Sequence, residues 1–397
     1  MAIFLVFVLG YVLSQFYRSF MAVIAPELAA EFGLDASVLA NIAAIFLIVF
    51  ALAQFPLGVA LDRLGPKRTV PTLMMLAVLG AALFANARSG FECLIANALI
   101  GLGCSPIYMG ALFVFARTMP AARFGFLCAS LIGLGSLGNL LAAAPLSQVA
   151  AVIGWRGAFQ GIAALTFASA VLYWLFVPDP PRVAAPIKSG SMAGELWQIL
   201  TIRALWPLFP LTALCYGCVV VERGLWIGPY FSDVYGLDQI ARGNAAMVMA
   251  AAMSAGALTF GALDRVPGRR TVLIGIGAVA TSAGFLLLSV GAGLQLWLAV
   301  STLAAIGFAG LCLPLLTAQA RTYFPDHLIG RGITFMNFLT IGGAGVVQWL
   351  SGIQVAMLQS KALPSTAVYA NLHLAFGLTI AVAAAFYLLA PSRSVDD

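Results

Sequence analysis

Long apolar runs recur along the whole chain, and they constrain its fold more than any other feature of the sequence. A helix that spans a bilayer needs about 20 consecutive, mainly apolar residues, and the chain has room for twelve such runs. Hydrophobic residues make up 62% of the chain and charged residues 9%, whereas about a quarter of a soluble domain is charged. The sequence therefore predicts an all-α integral membrane protein and excludes a water-soluble globule. The predicted spans are residues 3–30, 38–61, 70–88, 91–116, 123–150, 154–178, 203–232, 240–264, 271–290, 294–320, 329–356 and 366–390.

One connection is longer than the others and divides the spans into two sets of six. Residues 179–202 open within the segment Pro178-Asp-Pro-Pro181 and include a Lys-Ser-Gly-Ser segment, a composition typical of a linker. The predicted organisation is an N-terminal six-helix bundle (1–178), a cytoplasmic linker (179–202) and a C-terminal six-helix bundle (203–397). Residues 3–13 have no basic region before them and no cleavage site after them, so no cleavable signal peptide is predicted.

Basic residues are distributed unequally between the two sides of the predicted membrane domain. Fourteen lie on the side reached after the even-numbered spans, and four lie on the opposite side. Loops rich in Lys and Arg stay in the cytoplasm, so the sequence predicts a multi-pass protein of a bacterial-type inner membrane with both termini cytoplasmic. The net charge of +6 follows from this topology and does not indicate nucleic-acid binding.

Two short loops, one in each half, share one sequence pattern. Gly58-Val-Ala-Leu-Asp62-Arg63-Leu-Gly65-Pro-Lys67-Arg68 lies between spans 2 and 3, and Gly261-Ala-Leu-Asp264-Arg265-Val-Pro-Gly268-Arg269-Arg270 lies between spans 8 and 9. The second aspartate follows the first by 202 residues in a chain of 397. A motif repeated at this distance indicates a tandem duplication of six helices, which is how the halves of many secondary transporters are built.

The residue types in the repeated loop predict its physical roles. The glycine that precedes each aspartate permits close helix contact, and the glycine that follows the arginine permits a tight turn. The aspartate can cap a neighbouring helix or pair with an arginine, which would form a charge latch across the cytoplasmic mouth. The alternative is a loop that only anchors the protein by its positive charge. The predicted gating residues are Gly58, Asp62, Arg63, Gly65, Arg68, Asp264 and Arg265.

These features together resemble the major facilitator superfamily, whose loop between helices 2 and 3 carries this motif. The resemblance covers the twelve spans, the two sets of six, the linker and the weaker second copy of the loop. It implies two pseudo-symmetric bundles that alternate access to a central site. The second loop departs from the pattern because Val266 and Pro267 precede its glycine, which weakens the second latch.

Span 5 bears on whether the chain exports drugs. Several drug/proton antiporters of the superfamily carry a Gly-Pro-x-x-Gly-Gly signature in this helix. Here the helix reads Gly133-Leu-Gly135-Ser-Leu-Gly138-Asn139, which is rich in glycine but lacks the signature. The missing signature makes drug efflux a less favoured function for this chain, but drug efflux stays an alternative.

Two arginines lie deep in predicted spans, in the first helix of each half. When the halves are aligned on Pro26 and Pro229, Arg18 and Arg223 fall only two residues apart. A charge deep in a membrane helix costs several kcal/mol, and the planar guanidinium binds carboxylate or phosphate well. We predict that the two arginines clamp an anion; the alternative is that each pairs with a buried acid and never meets substrate.

Polar and aromatic side chains at helical spacing from the arginines are predicted to line the same cavity. The aromatic rings could sandwich a planar ligand or contact the arginines through cation–π interactions. For the isolated polar residues, an interhelical hydrogen bond is an equally good interpretation. The predicted substrate-binding residues are Arg18, Arg223, Tyr11, Gln15, Trp226, Tyr230, Tyr108, Asn139 and Asn337, and further candidates are Gln54, Asn97 and Gln348.

Glu222 is the one acid predicted to lie deep in a span. It is next to Arg223, but adjacent positions in a helix point about 100° apart. The sequence leaves two roles open: Glu222 neutralises Arg18 across the interface between the halves, or it titrates as the proton-coupling residue. Neither His327 nor His373 clusters with acids or cysteines in the sequence, so no metal site and no cofactor are predicted. The six cysteines are interpreted as packing residues.

The sequence thus predicts a secondary active transporter of a small organic anion, a carboxylated or aromatic metabolite, driven by proton symport or exchange. The alternative is proton-coupled efflux of amphipathic compounds, in which the arginines are structural. A membrane enzyme is disfavoured because no nucleophile or acid cluster lies at one depth, and a sensor because the 24-residue linker is too short to fold alone. The expected partners are a small-molecule substrate, the lipid bilayer and protons, for a protein that is monomeric, as is usual in the family.

Overall fold

The chain forms a bundle of helices whose apolar core runs through both halves. A computed structural model describes residues 2–119, 121–179, 192–263, 270–290, 293–325 and 328–389, and no strand occurs in this part of the chain. The helices are α1 (Ala2–Tyr17), α2 (Met21–Phe32), α3 (Ala36–Leu64), α4 (Pro66–Ala85), α5 (Gly90–Thr118), α6 (Ala121–Gly135), α7 (Leu137–Leu141), α8 (Ala144–Phe176), α9 (Met192–Thr201), α10 (Leu208–Val221), α11 (Ile227–Tyr235), α12 (Gln239–Leu263), α13 (Arg270–Val290), α14 (Leu296–Gly310), α15 (Leu313–Tyr323), α16 (Ile329–Ser360) and α17 (Ser365–Leu389).

The described helices account for the predicted membrane spans. Ten stretches are long and apolar enough to cross a bilayer, and the bent pair α1 and α2 makes one more. One of the ten, Ser130–Phe176, has 47 residues and turns at Gly154, where φ is 74°, so it contains two crossings. The prediction of an all-α membrane fold with twelve spans is therefore confirmed.

The two ends of the bundle are named here by their loops. The "motif end" is the end at which α3 and α4 meet at Gly65, and the "far end" is the end at which α2 and α3 meet at Gly33. At the far end, Asp35 caps α3 by accepting a hydrogen bond from the Val38 amide at 2.9 Å. Asp35 also accepts a hydrogen bond from the Ser37 hydroxyl. The bonds from Ser37 and Val38 hold the pKa of Asp35 below its usual value, because both favour the charged carboxylate.

The loop at the motif end differs in part from its prediction. Gly65 has φ +83° and makes the predicted tight turn. The cap on α4 comes from Asp179, which accepts a hydrogen bond from the Lys67 amide at 2.9 Å. Arg63 and Arg68 are exposed. The side chain of Asp62 and the whole of residues 264–269, including the predicted gating residues Asp264 and Arg265, lie outside the described part of the chain, so the charge latch stays a prediction.

The predicted close helix contact at the two motif glycines is wrong for this conformation. A Cβ added at Gly58 or Gly261 would meet no atom of the described residues of another helix within 4 Å. Both glycines are exposed, because the ends of α3 and α12 at which they lie are not packed against a neighbour there.

Part of the predicted linker is helical. α9 covers ten of the 24 residues of 179–202, from Met192 to Thr201, and residues 180–191 lie outside the described chain. Trp197 on α9 is 69% exposed, whereas Ile199 is buried. α9 packs against α16, so this segment lies on the C-terminal half as an amphipathic helix.

The two halves contact each other closely at the far end. α2 packs on α11 and α12, and α8 packs on α12. Gly228 of α11 lies so near the carbonyl oxygen of Ala22 in α2 that a Cβ there would overlap this oxygen. A Cβ on Gly243 of α12 would overlap the side-chain hydroxyl of Ser147 in α8. Small residues thus let the helix backbones approach, and the far end is closed between the halves.

An ion pair and a long helix contact reinforce this closure. Arg242 of α12 donates to Glu27 of α2 at 2.6 Å, and both side chains are at least three-quarters buried. α3 and α16 run alongside each other, from Ala40 and Gly352 to the ring pair of Phe55 and Phe338.

Candidate functional site

Arg18, which is half-buried, and Arg223, which is buried, lie where the first and seventh membrane spans are interrupted. These two spans are called helix 1 and helix 7. Helix 1 bends by 44° between α1 and α2, and Arg18 lies in this break. Helix 7 contains a π turn, Glu222–Trp226, between α10 and α11. The two interruptions touch, because a Cβ on Gly224 would lie 3.2 Å from the Arg18 carbonyl oxygen. Both deviations from α-helix thus bring the arginines to one place between the halves, and π turns are frequent at functional sites.

Ser19 joins the two arginine regions. Its hydroxyl accepts a hydrogen bond from the Arg223 guanidinium at 2.5 Å and lies 2.9 Å from the Asn139 amide oxygen, to which it can donate. Arg223 is 5% exposed, so this neutral hydroxyl is its hydrogen-bond partner in a buried setting. The predicted residues Asn139 and Arg223 are therefore connected through a serine that the sequence did not indicate.

A small cavity surrounds Arg18. Its free volume is about 10 Å³, which is room for about one water molecule. The Arg18 guanidinium lies 4.4 Å from the centre of the Phe50 ring, a cation–π distance. Asn97 and Gln348 supply the polar walls. A cargo larger than water therefore needs a conformation in which the halves have moved apart at this level.

Several polar atoms around this cavity lack a protein partner. Among the described residues that line it, Arg18 Nε and Gln348 Nε2 have no hydrogen-bond acceptor and Asn97 Oδ1 has no donor; Arg223 Nε, which lies outside the lining, also has no acceptor. Buried polar atoms are nearly always paired with protein or water. Three of these four atoms are hydrogen-bond donors and one is an acceptor. This excess of unpaired donors suits an anionic ligand, which accepts hydrogen bonds.

Three more predicted residues form a group on the side of Arg18 toward the motif end. The rings of Tyr11 and Tyr108 stack with their centres 5.2 Å apart. Gln15 Nε2 lies 3.5 Å from the Tyr11 hydroxyl. Gln15 lies one turn before Arg18, so this group lies beside the cavity along α1. A role of these residues in substrate binding stays a prediction.

Trp226 and Tyr230 do not join Arg223 at the cavity. Trp226 is 1% exposed and donates from Nε1 to the Ser351 hydroxyl of α16 at 2.8 Å. The Tyr230 hydroxyl is 3.2 Å from that of Tyr235. The prediction of one shared helical face is wrong here because the π turn between residues 222 and 226 shifts the register on which the i, i+3 and i+4 spacing depends.

Asn337 lies apart from the other predicted residues. It is half-buried in α16, eleven positions before Gln348, which is about 16 Å along the helix. The structure therefore places it toward the motif end and not at the Arg18 cavity.

Glu222 points away from Arg18 and faces a histidine. Its Oε2 lies 3.4 Å from Nε2 of His373 in α17, and both side chains are fully buried. The predicted neutralisation of Arg18 by Glu222 is therefore wrong in this conformation, and so is the prediction that no histidine clusters with an acid. One signal in the sequence could have indicated this pair: His373 is a polar residue in the middle of an apolar span.

Comparisons with known proteins agree on the class of this protein. The family description "Major Facilitator Superfamily" matches residues 7–348. The chain is 26% identical over 245 residues to the probable sulfoacetate transporter SauU of Cupriavidus necator, an alignment that covers 58% of this chain and 56% of that protein. It is 27% identical over 237 residues to the hexuronate transporter of Bacillus subtilis (strain 168), covering 57% of this chain and 55% of that protein. The aligned part thus spans about half the length of these relatives.

A solved structure has the same fold over almost its whole length. The crystal structure of a bacterial homologue of the human lysosomal transporter Spinster, in an inward-facing and occupied conformation, superposes with a TM-score of 0.81 at 16% identity. The superposition covers 97% of this chain and 95% of that one. The twelve-span fold and the family match over residues 7–348 lead to one conclusion: the chain belongs to the major facilitator superfamily.

Proposed function

We propose that this transporter carries a small organic anion, which Arg18 and Arg223 bind between the two halves. The observation that carries the proposal is the lack of compensation for these two charges. Among the described residues neither arginine forms an ion pair, and the polar partner of Arg223 is the neutral Ser19. Two cations in a buried site repel each other and are stabilised when a negative charge binds between them.

The position of the arginines supports a role in transport as well as in binding. Arg18 belongs to the N-terminal half and Arg223 to the C-terminal half, so an anion between them contacts both bodies that move in alternating access. Its binding would therefore favour a conformation in which both arginines reach it, with the halves farther apart at this level than in the structure described above. The free donors on Arg18, Arg223 and Gln348 would bind a carboxylate or sulfonate, and Tyr11 and Tyr108 would contact the rest of the molecule.

The names of two relatives agree with an anionic cargo. One is named for sulfoacetate, which has a sulfonate and a carboxylate, and the other for hexuronate, which is a sugar carboxylate. Because each alignment covers little more than half of either protein, the names support the class of cargo and not its identity. We propose further that the motif end faces the cytoplasm, as its basic residues indicate, and that Glu222 couples transport to protons.

The test is a thermal-stability screen of the purified protein with sulfoacetate, glucuronate and other small anions, and with neutral and cationic amphiphiles. A ligand of the folded state raises the melting temperature by mass action. We expect anions alone to stabilise the wild type. Arg18→Gln and Arg223→Gln should each weaken binding of the anion by about 10-fold to 100-fold, because each loses a charged hydrogen-bond donor.

The control is Arg88→Gln, which makes the same charge change at an exposed residue of the far end. Arg88→Gln should keep the full response to anions. The proposal fails if Arg18→Gln and Arg223→Gln both respond to anions as the wild type does. It also fails if neutral or cationic amphiphiles stabilise all the proteins equally, which would support efflux of amphipathic compounds with structural arginines.

A further inference from the structure

The interior of the C-terminal half contains an acid and a base that have no other partners. Glu222 begins the π turn of helix 7, and His373 faces it from α17 with 3.4 Å between Oε2 and Nε2. Neither carboxylate oxygen and neither ring nitrogen has a hydrogen-bond partner within the described chain. An unpaired charge at such a site would be very unfavourable. The two side chains must therefore satisfy each other, and a proton between them is the simplest way to do so.

The surroundings of the pair are uncharged except on one side. Tyr230 of α11 presents its ring to His373 at 5.0 Å, and Tyr369 of α17 lies 5.5 Å from Tyr230. Cys218 lies one turn before Glu222 on α10 and is also buried. Arg223 follows Glu222 directly in the chain and brings a positive charge to this part of helix 7.

We propose that Glu222 and His373 share one exchangeable proton and form the proton site of this transporter, and that this proton controls the charge next to Arg223. With one proton, the pair is neutral in total, whether the proton is on the carboxyl or on the ring. Without it, the pair carries one negative charge beside Arg223. A single proton is therefore the difference between a neutral and an anionic neighbour of the arginine.

This charge balance gives a reason for coupling the proton to an anion, and this step rests on the proposed function. When the pair holds its proton, the positive charges of Arg18 and Arg223 are uncompensated and attract an anion. When the proton leaves, the Glu222 carboxylate offsets the charge of Arg223, and we expect the affinity for an anion to fall about tenfold. Proton and anion would thus be bound together and released together.

The tyrosines around the pair lead toward solvent at the far end. The Tyr369 hydroxyl donates to Asp233 at 2.7 Å, and Asp233 is exposed. Tyr369 lies against Tyr230, which lies against His373. The other charged group near Asp233 is Arg242 of α12. The shared proton therefore has polar groups between it and the far end even while that end is closed.

Infrared titration of the purified protein in lipid nanodiscs tests the pair without any cargo. The C=O band of a protonated Glu222 is identified by its loss in Glu222→Gln. In the wild type we expect this band and the histidine ring bands to change together at one pH as the pH is raised. In His373→Gln the carboxyl loses its base, and the Glu222 band should persist to a pH higher by about 1 unit or more, because a buried carboxylate alone is strongly disfavoured.

The matched control is His327→Gln, which removes the chain's other histidine and should leave the Glu222 band unchanged. The proposal is overturned if His373→Gln titrates at the wild-type pH, or if neither band of the wild type changes with pH, since the pair would then be a permanent ion pair. The wild-type measurement decides even if a variant does not fold. A failed search for an anionic cargo would sink the proposed function and leave this result standing.

Discussion

Gly228→Ala is expected to disfavour closure of the far end. No other glycine-to-alanine change is expected to disfavour this closure as strongly. Gly228 on α11 meets the backbone carbonyl of Ala22 on α2, and a backbone atom cannot rotate away as a side chain can. A Cβ would force the two helices apart, and overpacking of this kind costs about 1–3 kcal/mol or more. We expect the closed population to fall by about 100-fold.

The measurement is the rate at which an aqueous maleimide labels Ala25→Cys in a Cys128→Ser background. Ala25 lies one turn after Ala22 and is fully buried, while Cys128 is the one native cysteine that is not buried. Labelling should accelerate by about 100-fold when Gly228→Ala is added. Gly161→Ala is the control, because a Cβ there meets nothing within 4 Å. Equal labelling rates in the two glycine variants would show that the contact between α2 and α11 does not hold the far end closed.

The fold was predictable because the bilayer imposes a simple rule on the sequence. A spanning helix must satisfy its backbone internally and expose apolar side chains, so spans are visible as apolar runs without knowledge of tertiary contacts. The turn at Gly65 was predictable for a similar local reason, since positive φ favours glycine. The predicted boundary near residue 154 also matches a glycine turn, at Gly154.

The site was only partly predictable because it depends on where helices deviate from regular geometry. Regular spacing put Gln15 and Tyr11 on one side of α1, and their side chains do lie next to each other, since α1 is regular up to Tyr17. The same spacing failed for Trp226, because the π turn adds a residue to the register and no sequence pattern announced it. The bridge through Ser19 depends on the break in helix 1, which is equally invisible to periodicity.

The partnership of Glu222 with His373 shows the other limit of sequence analysis. These residues are 151 positions apart and lie in helices 7 and 12, so their contact is a property of helix packing alone. The motif glycine Gly58 is the opposite case: its residue type predicted a contact that this conformation does not make. Local patterns therefore identify which residues are unusual, whereas the packing decides what each of them faces.

Arg242→Gln is expected to shift the transporter toward a conformation that is open at the far end. Arg242 and Glu27 form an ion pair at 2.6 Å that joins the two halves, with 8% and 25% of their side chains exposed. Removing one partner leaves the other charge largely buried and unpaired. Because Glu27 is partly exposed, solvent screens its unpaired charge and reduces this cost. We therefore expect the closed state to be destabilised by about 1–3 kcal/mol, which lowers its population by about 10-fold to 100-fold.

Spin labels at Ala30 and Ile240, which are exposed on α2 and α12, report the separation of the halves at the far end. Arg242→Gln should add a long-distance population, and the charge swap Glu27→Arg with Arg242→Glu should reduce it again. Glu31→Gln is the matched control. It breaks the 2.6 Å pair with Arg156, which lies within the N-terminal half, so its distances should stay those of the wild type. If both Gln variants lengthen the distance equally, the ion pair between the halves has no special part in closure, and the contact of α2 with α11 is left to hold the far end closed.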